Sequence, residues 1–282
     1  MSGAGDWARY WRERERPLEA MHAHFERHVY HRHSHDAYSF GVTEDGAQTF
    51  SCRGSRHTSA AGMVMAFNPD DPHDGHATDA LGFTYRIVHI GPELVSSVLT
   101  DITGRPTGLP LFADPVVNDP LLAGALRDLH AALLGGAGEL RRDELLTATI
   151  AAIVGRAAVT PLCPTSTRGL ISAGAGGRGA EVAWRVRELI HDRFLDEPAP
   201  EELATVAGAS RFAVYRAFRA QYGMAPSDYQ RQLRLREARR LIAAGIPLGQ
   251  VAAETGFADQ SHLTRWFTRY FGLTPGAYRE AS

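Results

Sequence analysis

One set of side chains that could do chemistry lies near the carboxyl end, in the stretch "DQSHLTRWFTRYFG" at 259–272. Leu263 and Phe267 are four residues apart, so on a helix both would face a core and leave a polar face between them. Arginine can bond bidentately to guanine O6 and N7, glutamine to adenine N6 and N7, and threonine to an acceptor or a thymine methyl. The polar face therefore has the chemistry to read base edges in the major groove of DNA.

An internal repeat with an offset of 49 residues supports this interpretation. The repeated positions, at identical spacings, are Phe218, Gly223, Pro226 and Tyr229 in one copy and Phe267, Gly272, Pro275 and Tyr278 in the other. A short predicted helix ending at Gly208 or Gly256 precedes each copy. Each copy is therefore predicted to be a helix-turn-helix unit.

In the second helix of each copy, Val214 with Phe218 and Leu263 with Phe267 are predicted to face the core. The remaining face would be exposed, and its aromatic residues have a use if they contact a thymine methyl. The predicted DNA contacts are Ser210, Arg211, Phe212, Tyr215, Arg216 and Arg219 in helix 210–222, and Gln260, Ser261, His262, Thr264, Arg265 and Arg269 in helix 260–270. Ser210 is also the predicted N-cap of its helix.

The elements that would position these residues fall into two predicted domains. Short, partly alternating runs at 18–112, separated by Gly, Asp and Pro turns, predict an all-β sandwich or small barrel. Residues 119–134 and 142–159 have helical periodicity, and these helices could cap the barrel or pair with a second copy. The predicted architecture is a barrel domain at 1–160 with trailing helices at 119–159, a flexible linker at 161–180 and an all-α domain at 181–282.

Composition limits the class of protein. The 282 residues suffice for two domains, no apolar run is long enough for a membrane span, and Cys52 and Cys163 lack partner spacing. We therefore expect a cytoplasmic protein without a membrane association. All 30 basic residues are arginine, and residues 211–240 hold 8 Arg against 2 acidic residues, a net charge of +6. Such a segment indicates either a surface for a polyanion or a solvated helix face.

The segment "GFADQSHLTRWFTRYFGLTPGAYR" at 256–279 resembles the signature of the AraC/XylS family of bacterial transcription regulators. The resemblance covers about 181–280 and implies two base-reading helices. It places Phe212, Tyr215 and Arg216 of the first, and Gln260, Ser261, Thr264 and Arg265 of the second, opposite the bases, with His262 facing base or backbone. The partners it implies are double-stranded DNA, a small-molecule effector, a second copy in a homodimer and RNA polymerase.

The stretches "HSHDAYSFGVTEDG" at 33–46 and "NPDDPHDG" at 68–75 resemble the cupin-type effector-binding and dimerisation domain of many such regulators. The resemblance implies a barrel that holds a small ligand. The residues expected to line its effector site are His33, His35, Tyr38 and His73.

The same histidines allow a second interpretation. Metal-binding cupins use a His-x-His pair, a nearby Glu and a later His, a set suited to iron, zinc or manganese. The Glu is missing here, because positions 38–40 hold Tyr, Ser and Phe, so we expect no metal; if one binds, its ligands would be His33, His35 and His73.

The sequence is compatible with three alternative functions. The first is a sequence-specific DNA-binding regulator controlled by an effector in the barrel. The second is a metal-dependent cupin enzyme fused to a DNA-binding module, and the third is a helical protein–protein module. The sequence has no Ser/His/Asp triad, P-loop or dinucleotide fingerprint, so we expect no catalytic residues and no enzyme activity. The repeated outward faces favour the regulator.

Overall fold

The computed structural model describes residues 5–158, 160–161 and 177–281. These residues form two compact units, one reaching to Pro161 and the other spanning 177–279. Most of the predicted linker, 162–176, lies outside the described residues, so the linker stays a prediction. None of the helices in the described ranges is long and apolar enough to cross a bilayer.

The first unit is built from short strands followed by helices. Its strands are β1 (Trp7–Arg12), β2 (Leu18–Phe25), β3 (Tyr30–His33), β4 (Tyr38–Cys52), β5 (Ser55–Ala60), β6 (Val64–Phe67), β7 (His73–Ala77), β8 (Phe83–Ile90), β9 (Pro110–Leu111), β10 (Val116–Val117) and β11 (Thr160–Pro161). Its helices are α1 (Pro92–Thr103), α2 (Pro120–Leu134) and α3 (Glu139–Ala157).

The long strand β4 joins two antiparallel layers. Its first half pairs with β8 and β6 in a layer of order β1-β2-β8-β4-β6-β10, and its second half pairs with β5 and β7. Side chains from the two layers meet: His73 of β7 stacks on Phe67 of β6, with ring centroids 4.0 Å apart. The layers therefore enclose an interior, and the prediction of a cupin-like barrel is confirmed.

The outer face of the larger layer packs against the three helices. Leu18, Val88 and Ile90 lie on this face and join buried leucines of α2 and α3 in one core. Full burial of each such side chain contributes about 1.5–3 kcal/mol, so the helices and the sheet stabilise one another. Leu122 and Leu129, each 1% exposed or less, are the centre of the contact from α2.

Three boundaries differ from the sequence prediction. The region up to 112 was expected to be β, but it contains α1, which has Pro92 in its first turn and ends at Gly104 with φ of 68°. These are ordinary helix start and stop signals, hidden within a β-rich context. Strand β1 precedes the predicted start of the sheet, and α3 begins at Glu139, before the predicted 142.

The second unit is entirely helical in its described part. Its elements are α4 (Arg178–Asp192), α5 (Pro200–Ala207), α6 (Arg211–Tyr222), α7 (Pro226–Ala243), α8 (Leu248–Glu254), α9 (Gln260–Phe271) and α10 (Pro275–Glu280). Helix α4 starts three residues before the predicted 181. The predicted all-α double helix-turn-helix is confirmed, with α5–α6 as the first unit and α8–α9 as the second.

The two copies of the repeat pack in the same way. Phe218 lies against Tyr229 with ring centroids 5.5 Å apart, and Phe267 lies against Tyr278 at 5.7 Å. Both phenylalanines are fully buried. Each aromatic pair fixes the end of the second helix of its unit onto the helix that follows, which explains why the repeat conserves their spacing between copies.

Helix α7 belongs to both halves of this unit. Leu233 packs in the core of the first helix-turn-helix, while Leu235 and Ile242 are buried outside that core, and α7 also contacts α8 and α9 of the second. Between them, Arg234 is 9% exposed and donates hydrogen bonds to four backbone carbonyls. Its partners are the carbonyl oxygens of Phe194, Leu195, Asp196 and Gly256, at 2.8–2.9 Å.

We predict that Phe267→Ala lowers the unfolding free energy of the helical unit by about 3–5 kcal/mol, because it leaves a large cavity in a packed core. The matched control is Phe212→Ala on the equivalent helix, since Phe212 is 73% exposed and should change stability by less than about 0.5 kcal/mol. Urea unfolding followed by helical circular dichroism measures both. Equal stability of the two variants would contradict the assignment of helix faces.

We also predict that Arg234→Met destabilises the helical unit by about 3 kcal/mol or more. The thioether cannot donate a hydrogen bond, and each buried carbonyl left without a partner costs about 1–3 kcal/mol. The control is Arg240→Met, because Arg240 is exposed on the same helix and pairs only one turn away with Glu237. If both variants unfold at the same urea concentration as the parent chain, the proposed role of Arg234 is wrong.

Candidate functional sites

Helix α6 presents the first predicted base-reading face. Gly208 ends α5 in the left-handed conformation, with φ of 60°, and the Ser210 hydroxyl then accepts a hydrogen bond from the Ala213 N–H at 3.3 Å. With Val214 buried, the opposite side of the helix is directed to solvent. Phe212 is 73% exposed there. Ser210 is the N-cap that the sequence predicted.

The charged side chains of α6 make only weak, exposed contacts within the protein. Arg211 pairs with Glu201 at 2.7 Å, but both side chains are about two-thirds exposed, so the pair is screened by water and contributes little to stability. The Arg216 guanidinium lies over the Phe212 ring at 5.4 Å. Tyr215 and Arg219 are also exposed. All six predicted contact residues of α6 thus lie at the surface.

Helix α9 presents the second face. The Asp259 carboxylate caps it by accepting a hydrogen bond from the His262 N–H at 2.6 Å. Gln260, Ser261 and Arg265 are exposed and Thr264 is half-buried. Among the described residues, these four side chains make no hydrogen bond or ion pair within the protein. Their donors and acceptors are therefore left for water or an external partner.

His262 differs from its neighbours on α9. The Trp266 indole N–H donates to His262 Nε2 at 2.9 Å, and the Phe257 ring packs edge-on against the imidazole at 5.4 Å. Trp266 is in turn covered by the Arg231 guanidinium at 3.8 Å and lies near that of Arg269 at 5.2 Å. The His262 ring is held by the fold of its own helix, so its geometry favours positioning over base contact.

Several arginines of the basic segment 211–240 make contacts within the protein, which the sequence alone did not indicate. Arg234 is buried, Arg231 stacks on Trp266 of α9, and the Arg239 guanidinium lies 5.5 Å from the Phe271 ring. These arginines of α7 hold neighbouring helices in place. The exposed positive charge of the segment comes chiefly from the arginines of α6.

A second site lies inside the barrel of the first unit. One ring nitrogen from each of His33, His35 and His73 lies within 4.8 Å of the other two. The Nδ1–H of His33 donates to the His31 carbonyl at 2.6 Å, and that of His73 donates to the Asp71 carbonyl at 2.9 Å. The structure therefore brings together the three histidines that the sequence singled out.

Burial decides the charge of this cluster. Removal from water lowers the pKa of His33 well below its usual range and that of His73 to about 4, and the neighbouring histidines lower the pKa of His33 further. Both rings are therefore neutral at pH 7. With the proton on Nδ1, each Nε2 carries a lone pair suited to accept a hydrogen bond or bind a metal.

Sequence reasoning missed His89 of β8. Its ring lies 4.7 Å from that of His35, and its Nδ1 shares a hydrogen bond of 2.8 Å with the Ser39 hydroxyl. His89 lies on the same face of β8 as Tyr85 and Ile87, and Tyr85 is one of the buried aromatic residues, but the sequence does not show which face of the strand points inward. The same alternation places Tyr85 toward the interior and Arg86 toward the outside.

Tyr38 lies apart from the other three residues that were expected to line the effector site. Tyr38 lies on the helix-facing side of β4, where its hydroxyl donates to the Pro110 carbonyl at 2.8 Å and its ring packs edge-on against Phe112. Its neighbour Ser39 has the inward position, because successive residues of a strand point to opposite faces. The phenol groups of the interior come from Tyr30 and Tyr85, whose oxygens are 2.7 Å apart.

Both parts of the chain match known families. Residues 17–150 match the model of the AraC-like ligand binding domain, and residues 203–281 match that of a helix-turn-helix domain. The chain is 26% identical over 232 residues to the uncharacterized HTH-type transcriptional regulator YbfI of Bacillus subtilis, covering 82% of this chain and 80% of that protein. It is 25% identical over 255 residues to the HTH-type transcriptional activator RhaS of Escherichia coli, covering 88% and 87%.

Solved structures share the fold at low sequence identity. ToxT from Vibrio cholerae with a bound unsaturated fatty acid has a TM-score of 0.53 and 10% identity, covering 98% of this chain and 95% of that one. A second ToxT structure, from Vibrio cholerae O395, has a TM-score of 0.51 and the same identity, covering 98% and 97%. With a ligand-binding domain and a helix-turn-helix domain each identified, the chain belongs to the AraC/XylS family of transcription regulators.

Proposed function

We propose that this regulator reads two successive major-groove segments of duplex DNA with α6 and α9, under the control of a small molecule held in its barrel. The observation that carries the proposal is the duplicated helix face. Each helix buries its apolar pair and exposes polar or aromatic side chains. The α9 side chains that make no hydrogen bond or ion pair with the described residues are Gln260, Ser261, Thr264 and Arg265. Such a face at equivalent positions of both copies of the repeat supports a shared binding role.

The two helices would contribute differently to binding. On α9, Arg265 suits guanine, Gln260 suits adenine, and Thr264 suits either an acceptor or a thymine methyl. On α6, Phe212 and Tyr215 offer apolar surface to thymine methyls, while Arg216 can reach a base edge. Arg211, Arg219 and Arg269 are suited to phosphates, whose contacts supply affinity without sequence preference. His262 would then position α9 through Trp266.

An effector would act from the barrel interior. The interior combines aromatic and aliphatic side chains with a few polar groups, which is typical of small-ligand sites. Its polar groups include the histidine cluster and the paired hydroxyls of Tyr30 and Tyr85. A ligand can change DNA binding only if its affinity for the DNA-competent arrangement of the protein differs from its affinity for the incompetent one. We therefore infer that this regulator acts through binding rather than catalysis.

The helices after the barrel have an exposed apolar surface that could form a homodimer contact. Ile102 of α1 and Leu140 of α3 are 46% and 75% exposed and line one open apolar groove together with Ala148 and Ala151. A second copy could cover this groove, and the resulting dimer could bind paired half-sites. RNA polymerase would be a further partner if the protein activates transcription. Such a regulator would act in the cytoplasm, where bacterial DNA lies.

The proposal predicts salt-dependent, sequence-selective binding to duplex DNA. Full-length protein should bind the DNA flanking its own gene more tightly than random duplex, and the affinity should fall steeply between about 50 and 200 mM salt, because phosphate contacts release counterions. Fluorescence anisotropy across a salt series measures both properties. Absence of any binding at low salt, with folded protein, would contradict a DNA-binding role.

A single substitution separates base contact from phosphate contact. Arg265→Ala should cost about 1–3 kcal/mol on the specific site and relax the preference at one base position, while binding to random duplex changes little. Arg240→Ala is the control, since Arg240 is exposed in the same unit but paired with Glu237 and lies outside both reading faces. An equal loss of affinity on specific and random duplex would overturn the base-reading role of Arg265.

A further inference from the structure

We propose that His33, His35 and His73 form a binding site for one divalent transition-metal ion inside the barrel. The inference starts from their geometry. Their three ligand nitrogens all lie within 4.8 Å of one another. Nitrogens bound to one zinc ion at 2.0–2.1 Å are about 3.3 Å apart, so each ring must move by less than about 1 Å to close on a metal.

The scaffold around the rings is suited to hold this geometry. His33 of β3 and His73 of β7 are direct partners in the antiparallel ladder, so their side chains lie on the same side of the sheet. The His73 ring also stacks on Phe67, with centroids 4.0 Å apart and an angle of 4° between the planes. Backbone pairing and aromatic packing thus fix two of the three ligands before any ion binds.

The hydrogen bonds of the rings point to the ligand atoms. His33 and His73 each donate Nδ1–H to a backbone carbonyl, that of His31 and that of Asp71. Histidines that bind metals almost always donate their other ring N–H in this way, which fixes the tautomer and raises the basicity of the coordinating nitrogen. The coordinating atom of both residues is therefore Nε2.

The donor set selects the class of metal. Three imidazoles suit zinc, cobalt, nickel or copper, whereas magnesium and calcium prefer oxygen ligands. The carboxylates on either side of His73 have other partners: Asp71 bonds to Arg53 and Asn68, and Asp74 accepts from the Ser51 N–H. Three protein ligands leave a fourth coordination position for water or for a donor atom of a small molecule.

This site does not depend on the proposed reading of DNA. If the protein binds metal but not DNA, the metal site is supported and the proposed function fails. If it binds DNA but not metal, the proposed function is supported and the metal site fails. The test therefore uses the metal alone as its probe and measures no DNA.

The experiment is a cobalt titration of the full-length chain after treatment with a chelator. We expect visible absorption bands of nitrogen-bound Co²⁺ that saturate at one equivalent per chain, and Zn²⁺ in excess should abolish them. His35→Ala should weaken Co²⁺ binding at least about tenfold, because it removes one of three ligands. His76→Ala is the matched control, since His76 is an exposed histidine on the same strand as His73, and it should bind like the parent chain.

A third variant guards against loss of folding. His35→Cys restores a ligand of different chemistry, so it should recover a bound ion and add a sulfur-to-cobalt charge-transfer band. Circular dichroism of each variant shows whether the barrel is folded. Equal Co²⁺ affinity in the parent chain, His35→Ala and His35→Cys, without the new band, would overturn the proposal.

Discussion

The buried guanidinium of Arg234 is the interaction on which the helical unit depends. Burial of a charge without partners is costly, and here the loss of water lowers the pKa of Arg234 from its ordinary value, although arginine stays protonated. Four carbonyl oxygens offset that cost. Three belong to the chain that follows α4 and one to Gly256, at the turn of the second helix-turn-helix. One side chain thus ties both halves of the unit to α7.

The turn that receives this guanidinium is built around it. Gly256 has φ of 73°, and a Cβ atom there would lie 2.9 Å from the guanidinium carbon of Arg234. Glycine is required by both the backbone angle and the close approach. Because α7 packs against α6 on one side and α8 and α9 on the other, this contact fixes the relation between α6 and α9, the helices proposed to read DNA. A fixed relation is what two adjacent groove contacts need, since a mobile pair would lose binding energy to ordering.

Much of this architecture could be predicted from local patterns. The i, i+4 pairs, the Ser210 cap and the repeated Phe–Tyr spacing each concern residues close in sequence, and all act as expected. The features that local patterns do not predict concern long-range structure. Tyr38 and Ser39 are neighbours in sequence, and only the placement of α2 and α3 over one side of β4 decides which of them faces the barrel interior. His89 reaches the histidine cluster through strand pairing, which spacing alone does not reveal.

The arginine-rich segment shows why charge is the weakest of the sequence signals. Eight arginines between 211 and 240 look alike in composition, yet the structure gives them opposite roles. Arg234 fills the core of the unit, Arg231 covers Trp266, and Arg216 remains on an exposed face. A buried guanidinium whose nitrogens all donate hydrogen bonds within the protein, as in Arg234, cannot also bond to a base. The residues suited to recognition are therefore the exposed ones. On α9 these include Gln260 and Arg265, which make no hydrogen bond or ion pair with the described residues. Tertiary contacts, rather than local charge, decide which face of this unit remains for DNA.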